Sequence, residues 1–414
     1  MDARRELAND RGERAPRATA DPSPLRPDTT LTPVNDEAER SAYRARLGVE
    51  VARSRRIHVV PARRGAQLAF GALVVLIGVQ FTAWAFAHLA GREPLVPRPA
   101  GVEGFLPISA LMSLRLWLAG QGVHPVHPAA LAILVGVLVM SALVAKSFCS
   151  MLCPIGALSE WLGRLGARLM GRTWSLPRAL DVPLRGLKWV LAAFFVWATW
   201  IAMDLPAVNA FLASPYNKVA DTKMLLFFAH PSRLTIAALG VLVVGSVLVR
   251  DLWCRYLCPY GAILGVLGRL APLMVTRDTS TCTECGACSR ACPARLPVHR
   301  SQRVASVECT SCLDCVAACP VKGCLSVRPP RPLGRRLRLG PATAVAVAVA
   351  IYLLVTGAFR LTGHWRTSIG EGEYARRLPV IESPLYTHVG GLAPAAETRP
   401  RTASPGLASA HAAR

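Results

Sequence analysis

Twelve of the 13 cysteines fall into patterns that can do chemistry. The strongest are Cys282-Thr-Glu-Cys285-Gly-Ala-Cys288-Ser-Arg-Ala-Cys292-Pro and Cys309-Thr-Ser-Cys312-Leu-Asp-Cys315-Val-Ala-Ala-Cys319-Pro. Each reads C-x2-C-x2-C-x3-C-P, the bacterial run for a [4Fe–4S] cubane. Three closely spaced thiolates wrap one corner of such a cluster, and the fourth, before the proline, points toward a second cluster. With two motifs the ligand sets cross: Cys282, Cys285, Cys288 and Cys319 for one cluster, and Cys309, Cys312, Cys315 and Cys292 for the other. A zinc ribbon would stop at two Cys-x-x-Cys pairs and gives the remaining cysteines no purpose. Cys324 is left over and reads as a bystander. With every iron thiolate-ligated, the two clusters suit electron relay better than substrate chemistry.

The other four cysteines lie in an internal repeat. Phe148-Cys-Ser-Met-Leu-Cys-Pro-Ile-Gly-Ala-Leu-Ser-Glu-Trp-Leu-Gly-Arg-Leu165 recurs 105 residues later as Trp253-Cys-Arg-Tyr-Leu-Cys-Pro-Tyr-Gly-Ala-Ile-Leu-Gly-Val-Leu-Gly-Arg-Leu270, with 10 of 18 positions identical. Cys149 and Cys153, like Cys254 and Cys258, are four apart and would share a helix face. The prolines that follow, Pro154 and Pro259, disfavour helix at the second cysteine and suit the first turn of a new one. Each pair therefore belongs at a break between a membrane helix and an amphipathic helix, where irregular backbone is tolerated if it lines a cavity or site. If a pseudo-twofold relates the halves, four thiols converge. Small buried packing residues would not need the whole pattern repeated, and a structural disulfide does not suit the reducing side of a membrane. Metal or cluster ligation and thiol redox chemistry both remain open for these four.

The elements that must position these cysteines are largely apolar. Of 414 residues, 52% are hydrophobic and 18% charged, and the mean hydropathy is +0.35, which excludes a wholly disordered chain and argues against an ordinary soluble one. Five stretches can cross a bilayer: Gln67 to Ala90, Pro128 to Ala145, Trp189 to Met203, Leu234 to Val249, and Leu339 to Phe359. The first begins after 66 mostly polar residues, too far in for a cleavable leader. Segments 1–66, 146–188 and 250–338 hold 35 of the 48 Lys and Arg residues, which places them in the cytoplasm and the C-terminal tail outside. The net charge of +23 then needs no nucleic-acid partner.

The expected architecture is a mainly α-helical integral membrane protein with five transmembrane helices in two pseudo-repeated halves, plus a small α+β ferredoxin-like domain in the cytoplasm. Its expected divisions are a disordered basic arm (1–62), a four-helix membrane domain (63–274), the two-cluster ferredoxin domain (275–330), a fifth helix (331–362) and a periplasmic tail (363–414). Arg331, Arg335, Arg336 and Arg338 would tie the ferredoxin unit to the anionic inner surface of the membrane.

On these residues the chain resembles the membrane-bound polyferredoxins of the NapH, NosR and CcoG type, from about Arg63 to His388. The resemblance rests on both Cys-x3-Cys-Pro motifs, the paired ferredoxin motifs that follow, and the helix arrangement. Three further strings look like those of a subgroup: Gly104-Phe-Leu-Pro-Ile108, Ser214-Pro-Tyr-Asn-Lys-Val-Ala-Asp-Thr-Lys-Met224 and Gly363-His-Trp365. The resemblance implies quinol-linked or cytoplasm-linked electron transfer toward periplasmic reductases, or help in assembling metalloenzymes. Residues 1–66 leave no room for the flavin-bearing domain of the NosR type. The stretch after the last helix is too short for the CcoG type's immunoglobulin-like domain, and no Cys-x-x-Cys-His offers a covalent haem site.

Three functions follow as expectations. The leading one is an inner-membrane iron–sulfur protein relaying electrons between cytoplasmic [4Fe–4S] clusters and a quinone or a membrane or periplasmic redox partner protein. The second is an assembly factor that reduces or handles a metal such as copper at Cys149, Cys153, Cys254 and Cys258. The third is a redox-sensing membrane regulator. Among polar residues, His124, His127, His364 and His388 are candidates for haem or quinol contact, and Asp204 and Asp221 for proton relay, with solvated, cap or interface roles as the plainer readings.

Overall fold

A computed structural model describes residues 60–171, 176–330 and 337–387. Most of the N-terminal arm, the tail after Gly391, His388, Arg331, Arg335 and Arg336 lie outside the described residues, and so do the expectations placed on them.

The described chain is mostly helical. Helix α1 (Pro61–Leu89) opens with proline at its first turn, where the missing N–H costs nothing, and runs 29 residues without an interior charge after Arg64. Helix α2 (Pro107–Leu118) and helix α3 (Pro128–Leu143) follow, each again started by proline. The first Cys-x3-Cys-Pro segment is the short α4 (Phe148–Met151) leading into amphipathic α5 (Pro154–Met170). Helix α6 (Arg178–Val196) continues through a π-helical turn, Trp197–Ile201. Three short helices, α7 (Leu205–Ala213), α8 (Pro215–Lys218) and α9 (Ala220–Ala229), lead to α10 (Arg233–Leu248). The second Cys-x3-Cys-Pro segment is a π-helical turn, Trp253–Leu257, followed by α11 (Pro259–Leu270).

The span expectation is met in part. Helix α1 and helix α14 (Pro341–Leu361) are long and apolar enough to cross a membrane, and the number rises to at most four if two bent pairs each count as one span. One pair turns by 100° between Ile201 and Leu205, the other by 80° between Ala229 and Arg233. The expected second span, α3, has only 16 residues, about 24 Å of helix against the roughly 30 Å of a hydrocarbon core. It is apolar all round because it is the hub of the bundle, packed by α2, α11 and α14. Exposed apolar side chains instead line α1 (Leu68, Val75, Leu76, Val79), α10 (Leu234, Ile236, Val241, Val244) and α14 (Leu353, Leu354), as a lipid-facing surface requires.

The ferredoxin unit is built on strands β1 (Met274–Arg277) and β2 (Leu325–Arg328), which pair antiparallel with Met274 opposite Arg328 and Arg277 opposite Leu325. Two short helices, α12 (Ala287–Ala291) and α13 (Asp314–Ala317), sit between them. The unit is not a bead on a string. Val275, Val298, Leu313 and Val327 share one continuous apolar core with Val137 and Met140 of α3 and Ala344, Val345 and Ala348 of α14.

Candidate functional site

The two ferredoxin motifs fold alike. Glu284 and Gly286 in the first, and Ser311 and Leu313 in the second, occupy aligned positions and all have left-handed backbone (φ 54, 68, 51 and 64°). This conformation is costly for the three non-glycine residues and bends each loop into a cup. The Glu284 N–H donates to Cys282 Sγ at 3.4 Å, and the Leu296 N–H to Cys292 Sγ at 3.5 Å. Cys282, Cys285, Cys288 and Cys319 line one cavity together with Arg277, His299 and Cys324. Cys292, Cys309, Cys312 and Cys315 line another, walled by Val275, Leu296, Val298, Val304 and Leu313. Each cavity thus takes three cysteines from one motif and the last from the other. Among the described residues no three His, Cys, Asp or Glu side chains converge on a single metal ion; each quartet rings a cavity instead. An all-sulfur donor set with backbone N–H groups aimed at sulfur fits an iron–sulfur cluster.

Two residues beside the first cavity were not singled out by sequence reasoning in this role. Cys324 is buried there, its thiol donating to the Asp278 carbonyl at 3.7 Å, and its nearness pushes the Cys282 thiol up. His299 lines the same cavity with its Nδ1 2.7 Å from Ser289 Oγ. Neither carries a spacing signal; only the return of β2 beside the first motif brings Cys324 there.

The four remaining cysteines are also gathered around one cavity. Cys149, Cys153, Cys254 and Cys258 all line a single cavity of about 820 Å3. In both copies the second cysteine's N–H reaches back five residues, Cys153 to the Phe148 carbonyl (3.0 Å) and Cys258 to that of Trp253 (2.9 Å). In both copies its Sγ then caps the next helix, accepting from Gly156 N (3.4 Å) or Gly261 N (3.3 Å). Gly156 is required by close approach, since a Cβ there would overlap the Cys149 carbonyl oxygen. Burial pushes the Cys149 thiol up to about 12 and that of Cys153 to about 11, because a thiolate is poorly solvated there.

The halves exchange their amphipathic helices. Helix α5 of the first copy packs on α10 of the second, and α11 of the second packs on α3 of the first. Gly163 of α5 faces Arg250, while the aligned Gly268 of α11 faces the Ala145–Lys146 backbone, the equivalent stretch of the other half. This reciprocal crossing closes the four thiols around one chamber. The chamber's walls are apolar toward α2 and α3 (Phe105, Ile108, Leu111, Ile133, Leu134), and its other end includes Glu308, Thr310 and Cys312 of the ferredoxin unit.

Charged groups at the seam hold the ferredoxin unit there. Arg63, fully buried, donates to both Glu160 oxygens (2.9 and 3.0 Å) and to Asp314 Oδ1 (2.9 Å), and Asp314 lies between Cys312 and Cys315. Gln67 adds a hydrogen bond to Glu160 (2.9 Å) and one to the Ser150 carbonyl (2.8 Å). Lys188 pairs with Glu308 at 2.6 Å, and Ser150 Oγ donates to the Thr310 carbonyl at 2.7 Å. Sequence reasoning missed Arg63, Glu160 and Lys188 as a tie; the available signal was charge at helix ends next to apolar spans.

The polar candidates at the opposite end divide. His127 is buried, with Nε2 2.7 Å from the Asn217 carbonyl and Nδ1 3.6 Å from Glu103, and Asp221 is buried against Arg98 (2.6 Å). Arg98 also holds Glu103 at 3.0 Å, so Glu103, just before the Gly104–Ile108 string, and Asp221 of the Ser214–Met224 string meet in one ionic cluster. The plain reading of solvated interface histidines therefore fails for His127 and for His124, which is also buried. Asp204 is a helix cap, accepting from Ala207 N at 2.8 Å. His364 is exposed, and none of these residues lines the cysteine chamber.

Comparison with known proteins now bears on this arrangement. A family model described as a 4Fe-4S binding domain matches residues 126–173 and again 230–275, once per half, and a 4Fe-4S dicluster domain matches 274–320. YccM of Escherichia coli K12, whose name assigns it provisionally to electron transport, is 39% identical over 79% of this chain and 91% of its own length. The chain belongs to the membrane-bound polyferredoxin family of the NapH and NosR type. Other polyferredoxin relatives match more narrowly. The regulatory protein NosR of Pseudomonas aeruginosa is 30% identical over 39% of this chain and 22% of its own length. The methylamine utilization ferredoxin-type protein MauN of Methylobacillus flagellatus is 28% identical over 36% of this chain and 48% of its own. No solved structure matches the chain. The polyferredoxin is thus a membrane protein with iron–sulfur domains, related to proteins of electron transport.

Proposed function

We propose that the protein relays electrons across the edge of the inner membrane, between two [4Fe–4S] clusters and a quinone or a membrane or periplasmic redox partner protein. Cys282, Cys285, Cys288 and Cys319 hold one cluster, and Cys309, Cys312, Cys315 and Cys292 the other. Bound there, the clusters supply one-electron exchange. The observation that carries the reading is the shared chamber: Cys312, a ligand of the second cluster, lines the same cavity as Cys149, Cys153, Cys254 and Cys258. The seam around Arg63 keeps that ligand against the membrane domain. The apolar walls formed by α2 and α3 suit a lipophilic carrier entering from the bilayer, since ligand sites of this size are concave and mostly apolar.

In this reading the described helices make five crossings, of which α3 and α10 have 16 residues each. The N-terminus and ferredoxin unit face the cytoplasm, where the basic segments lie, and the residues after α14 face the periplasm. The test is anaerobic purification with iron and sulfide analysis, followed by mixing of the dithionite-reduced protein in liposomes with a lipophilic quinone. About 8 irons per chain and rapid bleaching of the reduced-cluster signal are expected. Reduced clusters that transfer electrons neither to quinone nor to a membrane partner fraction would sink the relay.

The convergence of four thiols also favours a second reading, in which the chamber handles or reduces a soft metal such as copper for another enzyme. Serine at Cys149, Cys153, Cys254 and Cys258 should then abolish copper reduction and leave the ferredoxin clusters intact. Equal copper reduction by that variant would remove this reading.

A further inference from the structure

We propose that Lys146 is the counter-cation of an anionic thiolate centre held by Cys149, Cys153, Cys254 and Cys258, and that it sets the reduction potential of that centre. This rests on the reading of the four cysteines as a redox or metal site.

The starting observation is an unbalanced charge. Lys146 is 4% exposed and lines the chamber beside the four cysteines. Among the described residues its Nζ makes no hydrogen bond or ion pair. The other buried lysine at this seam, Lys188, is compensated by Glu308 at 2.6 Å. The Lys146 side chain opens onto the chamber, and an ammonium facing so apolar a cavity is stabilised by an anion beside it. The nearby carboxylates are engaged elsewhere: Glu308 with Lys188, Glu160 and Asp314 with Arg63, and Asp251 nearest to Arg250 at 3.8 Å. What Lys146 does face is sulfur.

Its position is specific. A Cβ built on Gly261 would lie 3.4 Å from Lys146 Nζ, and the Gly261 N–H is the one that donates to Cys258 Sγ. The ammonium therefore lies over the first turn of α11, beside Cys258, and its charge also reaches Cys149 of the other half. Neutral thiols offer it no compensation, whereas thiolates bound to a metal or cluster do. The repeat sharpens the point, since the position aligned with Lys146 is Asp251, so this cation is not a feature of the repeated scaffold.

A fixed positive charge stabilises the more negative, reduced state and raises the potential. The test uses full-length protein purified anaerobically in detergent: wild type, Lys146→Arg and Lys146→Met. Metal and sulfide per chain are measured first. A potentiometric titration then follows the electron paramagnetic resonance signal that disappears when Cys149 and Cys254 become serine. In Lys146→Met the reduced-to-oxidised ratio of that centre at fixed potential should fall at least tenfold, equivalent to 59 mV for one electron. Lys146→Arg should stay near wild type. An unshifted signal in Lys146→Met overturns the role of Lys146 and leaves the four-cysteine centre standing. Wild-type protein with about 8 irons and no further metal removes both the centre and the role of Lys146, while the ferredoxin relay survives. Should Lys146→Met fail to accumulate, Lys146→Gln keeps a polar side chain of nearly the same length without the charge and is read in the same way.

Discussion

The two halves of the membrane domain share a backbone solution and differ in charge. Both break their helix at the second cysteine, cap the next helix with its sulfur, and pass that helix to the opposite half. Around this common frame the first half carries Lys146 and Glu160, where the second carries Asp251 and Gly265. Glu160 receives Arg63 from α1, whereas Gly265 lies close against the Val307 carbonyl of the ferredoxin unit. The first half is tied through Arg63, and the second by close packing at Gly265 together with the Arg250–Asp314 pair at 3.8 Å. Repetition places the four cysteines, and divergence sets their electrostatic environment.

The comparison breaks most severely at Arg63. Arg63→Met leaves Glu160 and Asp314 buried without their shared cation, at a cost of about 3–5 kcal/mol. A lower unfolding midpoint in detergent and faster proteolysis between the membrane domain and the ferredoxin motifs are expected; an unchanged midpoint would show that charge does not tie the first half. Next in size are the paired glycines. Gly156→Ala should cost about 1–3 kcal/mol, since backbone must move away from the new methyl. Gly261→Ala meets nothing closer than the Lys146 side chain at 3.4 Å and should be tolerated. Equal losses in the two variants would mean that the cysteine turns are more alike than the clearances at their glycines indicate.

A pH experiment sharpens the chemistry of the first half. Because burial pushes Cys149 up to about 12 and Cys153 to about 11, both stay neutral thiols in metal-stripped protein at neutral pH. Their thiolate fractions grow about tenfold per pH unit until those values are reached, so alkylation read by mass spectrometry should climb steadily from pH 7 to 10. Rates already saturated at pH 8 would contradict the burial. By the same sign, loading a metal there releases protons and becomes more favourable as pH rises. The smallest effect belongs to Asp251→Asn. Burial holds the Asp251 carboxyl above its usual range, so removing its charge should change stability by less than about 1 kcal/mol.

Much of the site was legible because cluster ligands are local. Cys282, Cys285 and Cys288 must sit within a few residues to wrap one corner of a cluster, and the proline after each fourth cysteine marks where the chain turns away. The internal repeat was equally visible, as was the break at Pro154 and Pro259. The geometry of the spans was less so: hydropathy marks apolar stretches but is blind to the 100° and 80° bends and to α3 being a buried hub. The position of the leftover thiol was not legible for a related reason, since Cys324 reaches the first cavity only through the pairing of β2 with β1.

By itself the sequence determined the iron–sulfur cysteine motifs, the paired halves and the membrane character, because each is written in spacing or composition along the chain. Tertiary structure alone decided that four cysteines 105 residues apart share a chamber, that Arg63 reaches Glu160 and Asp314 across 97 and 251 residues, and that Lys146 faces sulfur without a carboxylate. Charge compensation acts through space, so no local pattern can encode which buried cation finds a partner.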